Sequence, residues 1–290
     1  MWYSAQKGQA LVIILLVLAV ASTIGISLAS RSVTDISITN KERESARAFS
    51  AAEAGIEEIL IGGSISGTLG GGEKFDVTLG VTGNSTDYLW PDNISAGDTV
   101  GLWLIGHGTG VTVVCDATHP CFTGSSIKVC WGEPGSPSDQ AQTPAIYTSI
   151  IYLTTPGNYS TARVARITSD PNSARRASNN FSGPPDFSCA IGGKSFAWGQ
   201  TIDFASLGIP ASVYNTVNGL QTARVRMVYN TSVPHPVGFQ AATAFPIQGI
   251  KLISTGTAES STRKIELFNT FAAFPPIFDF GVFPGGAITK

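Results

Sequence analysis

The N-terminal stretch from Gln9 to Leu60 constrains this chain more than any other part of it. Its first section begins QALVIILLVLAVA and carries few polar side chains before Arg31. About twenty apolar residues in a helix cross the roughly 30 Å hydrocarbon core of a bilayer. The first proline is Pro91, so no proline ends the helix at the membrane surface. The sequence therefore predicts a membrane-spanning segment, residues 10–30, that continues into a longer helix.

The second section of this stretch has an amphipathic pattern. Apolar residues recur at spacings of three and four, which predicts one helical face made of Ala46, Phe49, Ala52, Ile56 and Ile59. Gly62-Gly63 is typical of a helix end. We expect one helix over residues 9–61, about 80 Å long at 1.5 Å per residue.

Three features of this stretch resemble the type IV pilin-like family. They are a short leader ending in Lys7-Gly8, an apolar helix directly after the glycine, and the later run AAEAGIEE. Minor pilins and pseudopilins of the PilX and GspK kind are the most similar members. The resemblance covers about the first sixty residues. It implies that residues 1–8 are a leader, which prepilin peptidase removes on the cytoplasmic side by cutting between Gly8 and Gln9.

The resemblance also implies partners and a location. The partners would be other pilin subunits, the pilus assembly machinery, prepilin peptidase and, before assembly, the bacterial cytoplasmic membrane. The subunit would cross that membrane once with its C-terminus outside and then enter an extracellular filament. Its assembly helix would carry Ile13, Phe49, Ile56 and Ile59.

Two departures from the family pattern occur at the start of the mature chain. Gln9 stands where the family usually has Phe or Met, and Ile13 stands at the fifth mature position, where most pilins have Glu. Because PilX- and GspK-like proteins also tend to lack this Glu, the departure favours a minor subunit near the filament tip or in the initiation complex. The other interpretations of Ile13 are that another group replaces the Glu or that packing alone drives assembly.

Two interpretations without a filament also fit the N-terminus. One is a secretory signal peptide with Lys7 as its charged region and Ala19-Val20-Ala21 before the cut, although it leaves the later amphipathic helix unexplained. The other is a single-pass anchor that carries an extracellular adhesin or binding domain. Basic residues do not decide the orientation, because Lys7 alone precedes the span and four basic residues follow it up to Arg47.

Composition narrows the function of the remaining chain, residues 62–290. Only 13% of the residues are charged and the formal net charge is −2, with no basic stripe. This pattern excludes the electrostatic footprint of a nucleic-acid-binding protein. The chain also has no nucleophile elbow, and Gly106–Gly110 lacks the Lys-Ser/Thr of a phosphate loop. We expect neither an enzyme nor a cofactor.

All four cysteines follow the predicted span. This places them outside the cytoplasm, where the environment is oxidising. An even number there predicts two disulfides, and four cysteines allow three connectivities. We favour Cys115–Cys121, which closes a short loop, and Cys130–Cys189, which joins distant segments. A zinc site is the alternative, but there is no Cys-x-x-Cys pair and His119 is the only nearby histidine. His107, His119 and His235 are interpreted as loop residues, and Asp170 with Asn172 as a turn rather than a Ca²⁺ site.

Short runs rich in β-branched and aromatic residues predict an α+β fold in which the long N-terminal helix precedes an antiparallel, sandwich-like, β-rich region. The predicted strands are 74–81, 99–105, 110–114, 126–131, 145–154, 162–167, 224–229, 250–254 and 263–268. Gly62–Gly72 is expected to be a linker or loop, Ser254–Gly256 a hairpin turn, and Pro210–Gly219 a short helix. A subdomain boundary is expected near residues 171–185, which are rich in Asn, Ser and Pro. The aromatic segment Phe274–Phe283 is interpreted as a tail laid over apolar surface, with an exposed adhesive tip as the alternative.

Overall fold

A computed structural model describes residues 9–108, 112–182 and 186–273 of the chain. Its longest element is helix α1, Gln9–Leu60, and two short helices follow, α2 (Ser173–Asn179) and α3 (Ala211–Tyr214). A single 3₁₀ turn covers Tyr159–Thr161. Helix α1 ends at Leu60, one residue before the predicted end, and Gly62 adopts a positive φ of 84° there. The helix therefore ends as the glycine pair predicts.

The strands are short and follow one another along the whole region after α1. They are β1 Ser66–Thr68, β2 Lys74–Gly83, β3 Asp87–Leu89, β4 Thr99–Trp103, β5 Gly106–His107, β6 Val113–Val114, β7 Ser126–Trp131, β8 Ala145–Leu153, β9 Ala162–Ser169, β10 Cys189–Ile191, β11 Lys194–Phe196, β12 Trp198–Asp203, β13 Leu220–Val228, β14 Val237–Gln240, β15 Ile247–Ala258 and β16 Ser261–Thr270. With α1 they form the predicted α+β fold.

The chain divides into two units. The first contains the described residues up to Leu79 together with Leu252–Leu267, and the second contains Gly80–Lys251 and the chain from Phe268. In the first unit, α1 packs on strands of a sheet whose order is β1-β2-β15-β16. The second unit holds two four-stranded sheets, ordered β12-β7-β14-β3 and β4-β13-β8-β9, and the hairpins β5-β6 and β10-β11.

The core of the second unit draws side chains from both of its larger sheets. Trp131, Trp198 and Phe239 come from one sheet, and Ile146 and Val225 from the other, and all are fully or almost fully buried. The register is antiparallel throughout, with Gly199 opposite Cys130 and Val225 opposite both Val100 and Thr148. Two facing sheets with one shared core match the expected sandwich-like packing.

The structure differs from three sequence predictions. Part of the segment Gly62–Gly72, predicted to be a linker or loop, forms β1, which pairs with β2. The turn predicted at Ser254–Gly256 lies inside β15, and the chain instead turns at Glu259, which has a positive φ of 49°. The division between the units does not fall near residues 171–185. Residues 173–179 form α2 within the second unit, because the Asn172 side chain accepts a hydrogen bond from the Arg175 N–H (3.1 Å) and caps the helix.

Three predictions fall wholly or partly outside the described residues. They concern the leader 1–8, the first part of the strand predicted at 110–114, and the aromatic segment from Phe274 to Phe283.

Candidate functional site: the N-terminal helix and its sheet

The first half of α1 presents an apolar surface on all sides. The large apolar side chains from Leu11 to Leu28 are exposed, and Ile13 is 63% exposed. Within this helix an 18-residue window reaches a mean hydropathy of 2.8, and none of that window is buried in the described structure. It is the one helix among the described residues that is long and apolar enough to cross a membrane. Exposed apolar surface of this extent requires a lipid or protein environment.

The second half of α1 is fixed to the sheet of the first unit by small residues. Ala48, Ala51, Ala52, Gly55 and Ile56 are buried, at spacings that place them on one side of the helix. Small side chains allow the backbones of helix and sheet to approach closely. The helix is therefore held by close packing of its backbone on the backbone of the sheet, and not by large interdigitating side chains.

Gly256 of β15 marks the closest approach. A Cβ atom at this position would lie 2.0 Å from the Ala48 carbonyl oxygen and 2.4 Å from the Ala52 nitrogen, both of which are backbone atoms of α1. Gly55 on the helix side faces the sheet in the same way, since its Cβ would lie 2.5 Å from Ser254 Oγ and 3.0 Å from the Phe75 ring. A glycine inside a strand often marks such close approach of another backbone.

The buried side of the helix differs from the face that spacing predicts. Ala46 and Phe49 are exposed, with Phe49 47% exposed, whereas Ala48 and Ala51 are buried instead. The prediction followed the larger apolar side chains, but the sheet packs on the side lined by alanine and glycine. Of the residues proposed for assembly, Ile56 is therefore buried within its own chain, Ile59 is half-buried, and Ile13 and Phe49 are exposed.

Polar contacts border this junction. The Arg47 guanidinium forms an ion pair with Glu73, and its Nη2 also donates to the Gly71 carbonyl (2.6 Å). The side-chain hydrogen bond from Arg47 lowers the pKa of the Glu73 carboxyl below its ordinary value. Arg263 Nε donates to Ser45 Oγ (2.7 Å), which ties β16 to the same side of the helix.

The histidines lie apart from one another. His107, predicted to be in a loop, pairs with Val113 in the β5-β6 hairpin and is buried between the Trp103 and Phe271 rings, whose centroids lie 4.6 and 4.1 Å from its own. Burial disfavours the imidazolium and lowers the pKa of His107. His235 Nδ1 accepts a hydrogen bond from the Glu133 N–H (3.1 Å), and burial lowers its pKa as well.

His119 occupies the exposed loop between Cys115 and Cys121, where it contacts Asp116 (3.1 Å). No group of three or more His, Cys, Asp or Glu side chains that could hold a metal ion occurs in the described ranges.

The Asp170 carboxylate lies in a buried network of hydrogen bonds and forms an ion pair with Arg175 of the same chain. Its side chain is fully buried, and Arg175 donates to both of its oxygens at 2.8 and 2.7 Å. Asn179 and the Asn172 N–H donate as well, and the Arg175 guanidinium lies 3.7 Å over the Tyr229 ring centroid. Burial raises the pKa of Asp170, but these hydrogen bonds outweigh it and the net pKa is lowered. The arrangement is a charge-compensated structural cluster rather than a Ca²⁺ site.

The four cysteines form the two disulfides favoured from the sequence. Cys115 and Cys121 are joined with a Cα–Cα distance of 5.2 Å, and Cys130 and Cys189 with one of 5.9 Å. The second bridge joins β7 to β10 and is buried together with Ile191 and Phe196.

Comparisons of the chain with protein-family models, with curated proteins and with solved structures find no match. The functional conclusion therefore depends on the helix, its sheet and the exposed apolar surface.

Proposed function

We propose that this chain is a pilin-like minor subunit of a type IV pilus or of a type II secretion-like filament. The observation that carries the proposal is the division of α1 into two halves. The half from Leu11 to Leu28 is exposed and apolar, while the half from Ala48 to Ile56 is fixed to a sheet of the same chain. A helix of this kind can anchor the subunit in a bilayer and later pack against neighbouring helices.

In this function the helix is used twice. The subunit first waits in the cytoplasmic membrane, where the apolar half contacts lipid. After prepilin peptidase removes residues 1–8, the assembly machinery moves the subunit into a filament, and neighbouring helices replace the lipid around Ile13 and its neighbours. The β-rich region then faces outward. Ile56 does not take part in contacts between subunits, because it is already buried within its own chain.

The identity of the mature N-terminus tests this proposal. Edman sequencing or mass spectrometry of protein from the native membrane should find Gln9 first. A start at Ser22 would support a secretory signal peptide, and a start at Met1 would support a plain anchor that carries an extracellular binding domain. Either result would refute the pilin-like function.

Substitution of Gly8 tests the same site genetically. A peptidase can approach the backbone closely at a residue without a side chain, so Gly8→Leu should leave the full-length chain in the membrane. Gly25→Leu is the matched control, because Gly25 lies within α1, away from the proposed cut, and a Cβ there meets no atom within 4 Å. The control should be processed normally. A shortened Gly8→Leu protein would show that the assigned cut is wrong.

Ile13 supports a position near the filament tip. A carboxylate at this depth in hydrocarbon would cost several kcal/mol unless it were paired. In the pilin-like family, the Glu at this position is thought to pair with the N-terminal amine of the neighbouring subunit that is already in the filament. Ile13 makes no such pair, so the subunit fits best where no earlier subunit has to be recognised. Immunogold labelling of sheared filaments should mark one end only, and labelling along the whole length would contradict this position.

A further inference from the structure

Five asparagines of this chain begin the tripeptide Asn-x-Ser/Thr, in which x is not proline. They are Asn84, Asn93, Asn158, Asn180 and Asn230. In a protein exported from the cytoplasm, this tripeptide is the acceptor for an N-linked glycan, which is bulky and has to lie at the surface. The two disulfides are typical of an exported region. Because the tripeptide alone is a common pattern, burial and hydrogen bonding have to decide which asparagine is able to carry a glycan.

Asn230 belongs to the interior of the fold. The residue is 0% exposed, and its Nδ2 donates to the carbonyls of Ile94 and Val233, both at 3.0 Å. A sugar on this nitrogen would disrupt these hydrogen bonds and would have to fit into a closed interior. Asn230 is therefore a structural residue and serves below as the internal negative control.

Asn84, Asn93 and Asn180 are exposed, but the backbone at each of them is used by the fold. Asn84 and Asn180 have positive φ angles of 52° and 56°, and the Asn180 N–H caps the end of α2. Ile94, directly after Asn93, is 6% exposed, and its backbone pairs with a distant residue in an isolated bridge. An acceptor segment has to enter the active site of an enzyme, so a backbone held in this way makes a poorer acceptor.

Asn158 differs from the other four because its whole tripeptide lies on the surface. Asn158, Tyr159 and Ser160 are all exposed, and they belong to the connection between β8 and β9. Asn158 has a φ of −103° and a ψ of 97°, which is an extended conformation without strain. Exposed loop tips are the places where folded proteins are most accessible to enzymes and most tolerant of added groups.

Hydrogen bonds fix the orientation of the Asn158 amide. The Ser160 N–H donates to Asn158 Oδ1 (3.1 Å), and Ser160 Oγ donates to the same oxygen (2.7 Å). A backbone N–H can donate only to the oxygen of an amide, so this contact identifies Oδ1 and places Nδ2 on the other side of the planar group. The hydroxyl that the acceptor pattern requires therefore already contacts the side chain that is to be modified.

We propose that Asn158 carries an N-linked glycan, transferred from a lipid-linked oligosaccharide pyrophosphate on the outer side of the membrane. In the transfer, a bond forms between Nδ2 and the anomeric carbon of the first sugar, while the bond from that carbon to the pyrophosphate oxygen breaks. The lipid pyrophosphate leaves with the electron pair of the broken bond, and Nδ2 gives up one proton to a base of the transferase. The proposal depends on export of the region after α1, and not on assembly into a filament.

A glycan at this turn protects the open edge of its sheet. Strand β9 is the end strand in the order β4-β13-β8-β9, and its first residues, Ala162 to Val164, are exposed. Such an edge can pair with a strand of another chain. Tyr159 and Val164, which lie close to Asn158 in the sequence, are 54% and 41% exposed. The glycan covers these side chains and hinders strand addition where β9 begins.

Glycopeptide mass spectrometry of the full-length protein from its native membrane tests the proposal. The peptide that contains Asn158 should carry the added mass of a glycan and release sugar fragment ions. The peptide that contains Asn230 should be unmodified. An Asn158 peptide found only without a glycan would overturn the proposal. A glycan on Asn230 would also overturn it, because the transferase would then act without regard to the folded surface.

Three variants expressed in the source organism separate N-linked attachment from the alternatives. Ser160→Ala keeps the asparagine but removes the hydroxyl, so the glycan should be lost, whereas Ser160→Thr should retain it. Asn158→Gln should lose the glycan as well. A sugar that persists in Asn158→Gln would show that a neighbouring hydroxyl carries it, and full modification of Ser160→Ala would show that the tripeptide is not recognised. Either result contradicts N-linked attachment at Asn158. All three substitutions are at exposed positions, so thermal unfolding should be close to that of the unmodified wild type.

Discussion

The close approach at Gly256 yields the sharpest prediction for the helix–sheet junction. Gly256→Ala would place a methyl group 2.0 Å from the Ala48 carbonyl oxygen, and a backbone atom cannot rotate away. An ordinary contact begins at about 3.4 Å, so the helix must move by roughly 1.4 Å. A gap of 0.5–1 Å already removes about a quarter to a half of the dispersion energy of each contact. Overpacking costs about 1–3 kcal/mol in well-packed cores, and the backbone clash places this variant near 3 kcal/mol.

Thermal unfolding of the full chain in detergent, followed by circular dichroism, measures this effect. A loss of about 3 kcal/mol lowers the Tm of a domain of 150–250 residues by roughly 6–12 °C. Hydrogen exchange over residues 44–60 should accelerate by roughly a hundredfold, since 1.36 kcal/mol corresponds to a factor of ten.

Two other glycines provide matched controls. Gly55→Ala meets the rotatable Ser254 hydroxyl, and alanine gains about 1 kcal/mol of helix propensity over glycine, so its net effect should stay within about 1 kcal/mol. Gly80→Ala in β2 has only an ordinary contact, 3.8 Å from the Lys251 carbonyl oxygen. If Gly256→Ala is no less stable than Gly80→Ala, the junction does not depend on backbone contact.

Two further predictions concern the second unit. Asp170→Asn should destabilise the protein by about 3 kcal/mol, because it leaves the largely buried Arg175 guanidinium without its carboxylate. Since the pKa of Asp170 is lowered by folding, its contribution is present above pH 3.8, the ordinary carboxyl value, and is lost as the pH falls through the folded-state pKa. Acid unfolding of wild type and Asp170→Asn should therefore converge at low pH, and curves that stay parallel would refute the assignment. Replacing Cys130 and Cys189 together by Ala should cost about 4 kcal/mol, against about 2 kcal/mol for the Cys115/Cys121 pair, since the chain-entropy model favours the longer loop. Chemical denaturation of the two double variants checks this order, and equal losses would contradict it.

Local patterns predicted helix α1 and most of the longer strands of this fold, but not strands such as β3, β12 and β14. The apolar run and the Gly62-Gly63 pair locate helix α1 to within one residue. The β-branched run at Ser126–Trp131 gives β7 with its observed bounds, and strands occur at the other predicted sites within the described residues. These features depend on residues close together in the chain, which is why periodicity and turn chemistry can reveal them.

Features that depend on distant partners were not predictable. Gly256 has the sequence signature of a turn, but its glycine is needed because α1, some two hundred residues earlier, passes against it. The same limit applies to the pairing of β2 with β15 and to the Asn- and Ser-rich segment after Asp170. That segment resembles a linker in composition, but Asp170 and Arg175 fix it within the second unit. One signal in the sequence distinguishes the two cases. A glycine within a strand-like run of alternating residues indicates close approach of another backbone, and not a turn.

The helix also limits how subunits of this kind could assemble. The side of α1 that contains Ala48, Ala52 and Ile56 is occupied by the chain's own sheet, so neighbouring helices cannot use it. Phe49 is the last large exposed apolar side chain before Leu60. In the proposed filament, contacts between helices should therefore be concentrated from Leu11 to Phe49, either before the sheet-bound half of α1 or on the side of α1 that faces away from the sheet. If the proposed function holds, a substitution at Ile56 should alter the stability of the subunit, because Ile56 is buried, whereas one at the exposed Ile13 should alter its assembly.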